Sequence, residues 1–131
     1  MLVLDTCAII WDALDQKQLS EKALTAINLA EQKKSIVISD ISIWEIAMLA
    51  SKGRISLKTS VSRFIDLYLK VRQIKVVKIS PEIAEVSTSF GADINKDPAD
   101  RIICALSLIH KAPLVTADNN LIQSQIVETL W

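Results

Sequence analysis

The sequence predicts an α/β fold: a three-layer α/β/α arrangement around a central, mostly parallel sheet of four or five strands. Three observations lead there. Short apolar runs alternate with longer stretches of helical period, which is the pattern of a parallel sheet covered on both faces. The 131 residues are half hydrophobic and mostly aliphatic, enough for one domain that buries about two-thirds of the surface its unfolded chain exposes. The two glycines and three prolines stand at the ends of elements, and no internal repeat or low-complexity linker divides residues 1–131.

The elements follow in order. Leu2-Val3-Leu4 is a short apolar run ending at Asp5 and reads as a buried strand. A helix follows with Ala8, Ile9, Trp11, Ala13 and Leu14 apolar, and its acids Asp12 and Asp15 fall to one side. Ser20 opens a second helix, with apolar residues at 23, 24, 27 and 30 and with Lys33 and Lys34 suited to the negative end of its dipole. Residues 35–39 read as the second strand. Asp40 or Ser42 is the expected cap of the next helix, and Gly53 its stop. Residues 60–72 carry an apolar stripe of Val61, Phe64, Ile65, Tyr68 and Leu69, and residues 74–79 read as the third strand. Ser80-Pro81-Glu82 is a cap, a first-turn proline and a first-turn acid, so a helix starts there, and Gly91 breaks it. Asp97-Pro98 starts another helix, with Ile102, Ile103, Leu106 and Ile109 apolar. Residues 114–116 read as the fourth strand, a short helix follows Asp118, and residues 127–131 fit an edge strand.

Composition excludes several classes. Cys7 and Cys104 sit in apolar runs and read as small core residues in a reducing compartment. A single histidine, His110, and no close cysteine pair leave no zinc motif. No apolar run approaches the ~18 residues of a membrane span, and the start MLVLD lacks the pattern of a secretory signal, so a cytoplasmic protein without a membrane partner is expected. The chain is neutral overall but unevenly charged. Between residues 52 and 78 eight bases against one acid, Asp66, leave that stretch at +7 and the remainder at −7. Those bases, Lys52 and Arg54 among them, read either as a solvated helix face or as an edge that tracks phosphates beside an acidic site.

The acidic side carries the chemistry. Open parallel sheets bind ligands at the carboxyl ends of their strands, where helix N-termini gather. Asp5 follows the first strand, Asp118 follows the fourth, and Asp97 and Asp100 lie in one first helical turn. Glu45 stands inside the apolar stretch ISIWEIAMLASKG, residues 41–53. Ionised carboxylates crowded together raise one another's pKa, so a cation is expected among them. Hard oxygen ligands suit Mg²⁺ or Mn²⁺. The local reading stays open beside this one: Asp5, Asp97 and Asp118 are good helix caps, Asp100 sits where a capping-box partner would, and Glu45 fits a solvent-facing position.

The stretches LVLDTCAIIW (2–11), ISDISIWEIAMLASKGRI (38–55) and DPADRIICALSLIHKAPLVTAD (97–118), with the short tail, span nearly the whole chain. Together they resemble PIN-domain ribonucleases, specifically the VapC-type toxins of type II toxin–antitoxin pairs. The family's acids fall on Asp5, Glu45, Asp100 and Asp118, with Asp97 in a supporting or capping role. The resemblance implies a PIN-like fold and a metal-dependent endoribonuclease. Those four acids would be its catalytic residues and would hold Mg²⁺ or Mn²⁺. Thr6 and Thr116 match small hydroxyl positions that orient an acid or a water. Lys52, Arg54 and Arg101 are candidate phosphate contacts, although Arg101 fits an ion pair with Asp97 equally well. The substrate implied is structured RNA, transfer or ribosomal. The partners implied are a small VapB-like antitoxin and a second copy of the chain. Ala117 departs from the family, which often has a base there. The alternative is a catalytically silent PIN-fold module that binds RNA or protein. A dehalogenase-like phosphatase would need an acid where Cys7 stands, and a receiver domain would need a phosphorylated Asp where Lys78-Ile79-Ser80 stands.

Overall fold

The structure is a computed structural model that describes residues Met1–Trp131. Its strands are β1 (Leu2–Leu4), β2 (Ile36–Ser39), β3 (Lys75–Val77), β4 (Leu114–Val115) and β5 (Thr129–Leu130). They form one sheet in the order β3-β2-β1-β4-β5, and every pairing is parallel. The helices are α1 (Thr6–Leu14), α2 (Glu21–Gln32), α3 (Asp40–Ser51), α4 (Val61–Val71), α5 (Pro81–Ser89), α6 (Pro98–His110) and α7 (Asn119–Ser124), with a 3-10 turn at Gln16–Gln18. None of them is long and apolar enough to cross a membrane.

The pleat divides the aliphatic side chains between two cores. Leu2, Leu4, Ile36 and Ile38 enter one, where Ile9 of α1, Ile27 of α2 and Ile65 of α4 meet them. Val3 and Val37 enter the other, with Ile83 of α5, Ile103 and Leu106 of α6, and Leu121 of α7. Adjacent strand residues point to opposite faces, so an unbroken apolar run is what a strand covered on both sides requires. Each fully buried Val, Leu or Ile side chain contributes about 1.5–3 kcal/mol relative to exposure.

Helix starts follow the expected side-chain chemistry, with one shift. Ser20, Ser60 and Ser80 accept the N–H groups of Ala23, Arg63 and Ile83. The cap of α3, however, is Ser39, whose Oγ accepts the Ile41 N–H at 3.3 Å, and not Asp40 or Ser42. Strand β2 runs into α3 without a loop. The last strand residue is therefore the only one with extended backbone available for capping. Asp40 is already helical and accepts the Ile79 N–H at 3.4 Å, while Ser42 is fully buried. Gly53, at φ +70°, ends α3 as expected. The third strand is shorter than residues 74–79, because only residues 75–77 pair with β2.

One interaction on the α1–α2–α4 face has no counterpart in the sequence reading. The Asp12 carboxylate is completely enclosed and receives Arg72 in a bidentate pair, at 2.9 Å from Nε and 2.6 Å from Nη2. Tyr68 donates its hydroxyl to the same carboxylate at 2.7 Å, and the remaining Arg72 nitrogen reaches Asn28 and Glu31. Arg72 therefore leaves the expected basic edge and ties α4 to α1 and α2. A buried pair of this geometry is strongly destabilising to break from one side, because the other charge stays enclosed without a partner. Asp12→Ala and Arg72→Ala are each expected to lower unfolding free energy by about 3–5 kcal/mol. Denaturant titration measures this. A paired replacement of both by apolar residues of similar volume should recover most of the loss.

Candidate active site

The strand order reverses direction between β1 and β4, and the crevice at such a switch point is where open α/β sheets hold ligands. Asp5 stands there. Its N–H bonds to the Val115 carbonyl at 3.2 Å, and its Oδ1 accepts the Ala8 N–H at 2.7 Å, capping α1. Thr116, buried one residue past β4, receives the Asp118 N–H on its Oγ at 3.0 Å and hydrogen-bonds the Asp5 carboxylate. Asp118 caps α7, its Oδ1 accepting the N–H groups of Asn120 and Leu121 at 2.8 and 3.2 Å.

The remaining acids arrive from α3 and α6. Asp97 caps α6 through the Ala99 N–H at 2.9 Å. Asp100, one turn in, takes the side-chain amide of Asn95 on Oδ2 at 3.0 Å and makes no capping-box bond to Asp97, whose N–H goes to Asn95 Oδ1 instead. Glu45, in the second turn of α3, is hydrogen-bonded to the Thr6 hydroxyl, which also lies 3.0 Å from Ser42 Oγ. Asp5, Glu45, Asp97, Asp100 and Asp118 all line one groove of about 420 Å³, together with Thr6 and Arg54. Capping and clustering therefore coexist. A carboxylate has two oxygens, and in Asp97, Asp118 and Asp100 one oxygen holds the chain in place while the other carries no protein hydrogen bond.

Other sequence expectations land elsewhere. Lys52 is the exposed C-terminal cap of α3 and does not line the groove. Arg101 pairs with neither a groove ligand nor Asp97. It folds back and donates to the carbonyls of Asn95, Phe90, Gly91 and Ile94 at 2.8–3.1 Å, pinning the loop that delivers Asp97 and Asp100. Cys104 is buried as expected, but Cys7 is exposed and lines the groove, because the first turn of α1 turns that position away from the sheet. Trp11, Met48 and Leu49 also line the groove. Helical spacing could have found Met48 and Leu49, which stand one turn on from Glu45.

The electrostatics follow from burial and crowding. Burial pushes the Asp5 carboxyl up to about 6; hydrogen bonds from Thr116 and Ala8 hold it back, and Asp100 and Asp118 push further. Burial raises Glu45, opposed by Thr6 and helped by Asp97, Asp100 and Asp5. Burial raises Asp100, opposed by Asn95 and helped by Asp97 and Asp118. Partial burial of its sulfur, then Asp5 and Glu45, push the Cys7 thiol up to about 11, so it stays protonated at neutral pH and is no nucleophile. The donor set is all hard oxygen, and a divalent cation would relieve the crowding. As placed, no three of these acids are grouped to enclose a single ion. The set therefore fits a cation that keeps most of its waters and takes one or two carboxylates, as Mg²⁺ does.

The chain and its fold are similar to known proteins. The PIN domain model matches residues 2–126. The chain is 30% identical to Ribonuclease VapC22 of Mycobacterium tuberculosis over 120 residues, covering 92% of this chain and 88% of that one. Its fold is similar to that of VapBC2 from Rickettsia felis, solved with a DNA fragment from the promoter, at TM-score 0.75 and 15% identity over 98% of this chain and 96% of that one. It is similar also to DNA-bound VapBC from Salmonella typhimurium, at TM-score 0.71 and 18% identity over 98% and 95%. The all-parallel five-stranded sheet between helical layers is the arrangement these folds share.

The raised pKa of Asp5 has a consequence for stability. Folded protein holds the Asp5 proton at a pH where the unfolded chain has released it, so this group's contribution falls as pH rises from its ordinary 3.8 through about 6. Asp5→Asn is expected to stabilise the protein at neutral pH by on the order of 2–3 kcal/mol. The gain should shrink to nothing below the ordinary carboxylate range. Denaturant unfolding of both proteins across that pH window reads the difference.

Proposed function

The chain belongs to the PIN-domain family, and from that premise we propose that it is a VapC-type endoribonuclease toxin that hydrolyses RNA phosphodiester bonds with Mg²⁺ or Mn²⁺. The observation that carries this reading is the groove: five carboxylates with Arg54 as their only basic neighbour among the lining residues. Asp5, Asp100 and Asp118 would hold the cation, directly or through water. A bound Mg²⁺ or Mn²⁺ supplies Lewis acidity toward water and toward the phosphate oxygens. Glu45, raised by burial and by its acidic neighbours, orients the attacking water and takes its proton on the oxygen that Thr6 leaves free. Thr116 holds Asp5 and the Asp118 backbone in register, and Thr6 does the same for Glu45. Arg54 contacts a substrate phosphate from the groove wall.

The folds of VapBC complexes support a VapB-like antitoxin as partner, and we infer a homodimer acting in the cytoplasm on transfer or ribosomal RNA. A silent binding module is the second reading, favoured by the absence of any three acids grouped for one ion.

Cleavage separates the two. Purified protein is expected to cut an RNA pool with Mg²⁺ or Mn²⁺, to stop in chelator, and to resume when the metal is restored. Asp5→Asn, Asp100→Asn and Asp118→Asn should each lower the rate on the order of 100-fold or more. Binding without metal-dependent cleavage, equal in wild type and Asp5→Asn, would leave the binding module as the function. Arg54→Ala should weaken RNA binding evenly across sequences and reduce the slope of log affinity against log salt by about one.

A further inference from the structure

The groove that the five acids line is lined also by Trp11, Met48 and Leu49. Neither a divalent cation nor a phosphate calls for these apolar side chains. Trp11 is half-buried: it packs against the α1–α2–α4 core on one side and borders the groove on another. Its ring is braced by Trp131, with centroids 5.5 Å apart and planes tilted by 56°, and Trp131 itself packs on the same core. The result is a braced aromatic surface in the groove that Asp5 and Arg54 also line.

We propose that Trp11, held by Trp131, is a stacking surface for one unpaired nucleobase next to the phosphodiester in the acidic site, so that the RNA must be unpaired at the cut. This rests on the nuclease reading above and adds to it a residue that contacts the RNA beside the cut. An indole offers a π-face that any base can stack on. In a duplex both faces of a base are already covered by its neighbours, and only a splayed base in a loop, bulge or end can present one. Met48 and Leu49 of α3 line the same groove, and Arg54 remains available for the phosphate that follows. The preference that results is for unpaired over paired RNA, with little choice among bases, because stacking carries no hydrogen-bond readout.

The test uses the full chain carrying Trp44→Phe, which removes an exposed tryptophan outside the groove, and Asp5→Asn to prevent turnover. The probes are a short unpaired oligoribonucleotide of mixed sequence and a ribose-phosphate chain of equal length without bases, both with Mg²⁺. The base-bearing probe should quench tryptophan fluorescence and bind about tenfold tighter than the abasic one. Trp11→Leu should abolish that preference while leaving abasic binding unchanged, Trp11→Phe should keep most of it, and Trp131→Leu should reduce it. A thermal melt checks each variant. If Trp11→Leu does not fold, the quench and the base preference in the Trp11 protein decide alone. RNA that is cut by the wild type with no quench and no base preference overturns the stacking surface and leaves the nuclease standing. It would point instead to an apolar protein segment as the occupant of this surface. Quench and base preference without any cleavage by the wild type support the surface and overturn the nuclease. A Trp11→Leu loss equal for both probes marks a structural role and overturns the proposal.

Discussion

Everything in this fold that bears on function follows from one constraint: the Asp5 carboxylate sits inside the protein, at the tip of the central strand, with other acids around it and no base in contact. The architecture tolerates this because the helices that start at the sheet edge bring their positive ends to it. Asp5 caps α1, Asp97 caps α6 and Asp118 caps α7. Each carboxylate satisfies orphan N–H groups and sits in the favourable end of a helix dipole. Three caps converging on one crevice bring the acids together, and burial and crowding there raise Asp5, Glu45 and Asp100.

The strand registers turn this local chemistry into a shared site. β1 pairs with β4 so that Leu4 faces Val115, which puts Asp5 and Thr116 side by side just beyond the ladder. Thr116 then bonds to both Asp5 and the Asp118 backbone. The loop before α6 is held in the same manner by Arg101, whose guanidinium gathers four carbonyls of residues 90–95. Thr116 and Arg101, candidate substrate contacts by sequence, thus fix the loops that carry the acids.

Much of this was legible in the sequence because it is local. Apolar runs of strand length gave the sheet, serines and aspartates marked helix starts, and acids at strand ends pointed to the crevice. What escaped depends on partners far away along the chain. Asp12 lies on α1 and Asp15 caps its C-terminal end, yet one is enclosed and the other exposed, and the difference is Arg72, 60 residues on from Asp12. Arg72 itself looked like part of a basic edge. Arg101 reads as a phosphate contact or as an ion pair with Asp97, because a sequence does not show which carbonyls a guanidinium will find. Ser39 does not read as a cap because the missing loop between β2 and α3 has no signature, and Cys7 reads as core because its neighbours are apolar. With Arg72 removed from the basic stretch and Lys52 outside the groove, Arg54 is the base from that stretch that lines the groove with the acids. On the nuclease reading, the other bases act at longer range, drawing RNA toward the acidic groove.

The most direct test of that central claim is an anomalous difference map from crystals of the protein soaked in Mn²⁺. A peak inside the groove bounded by Asp5, Asp100 and Asp118, lost in Asp5→Asn crystals, is the result expected. A groove that stays empty while Mn²⁺ settles elsewhere, or a peak indifferent to Asp5, would contradict a site built to take divalent ions.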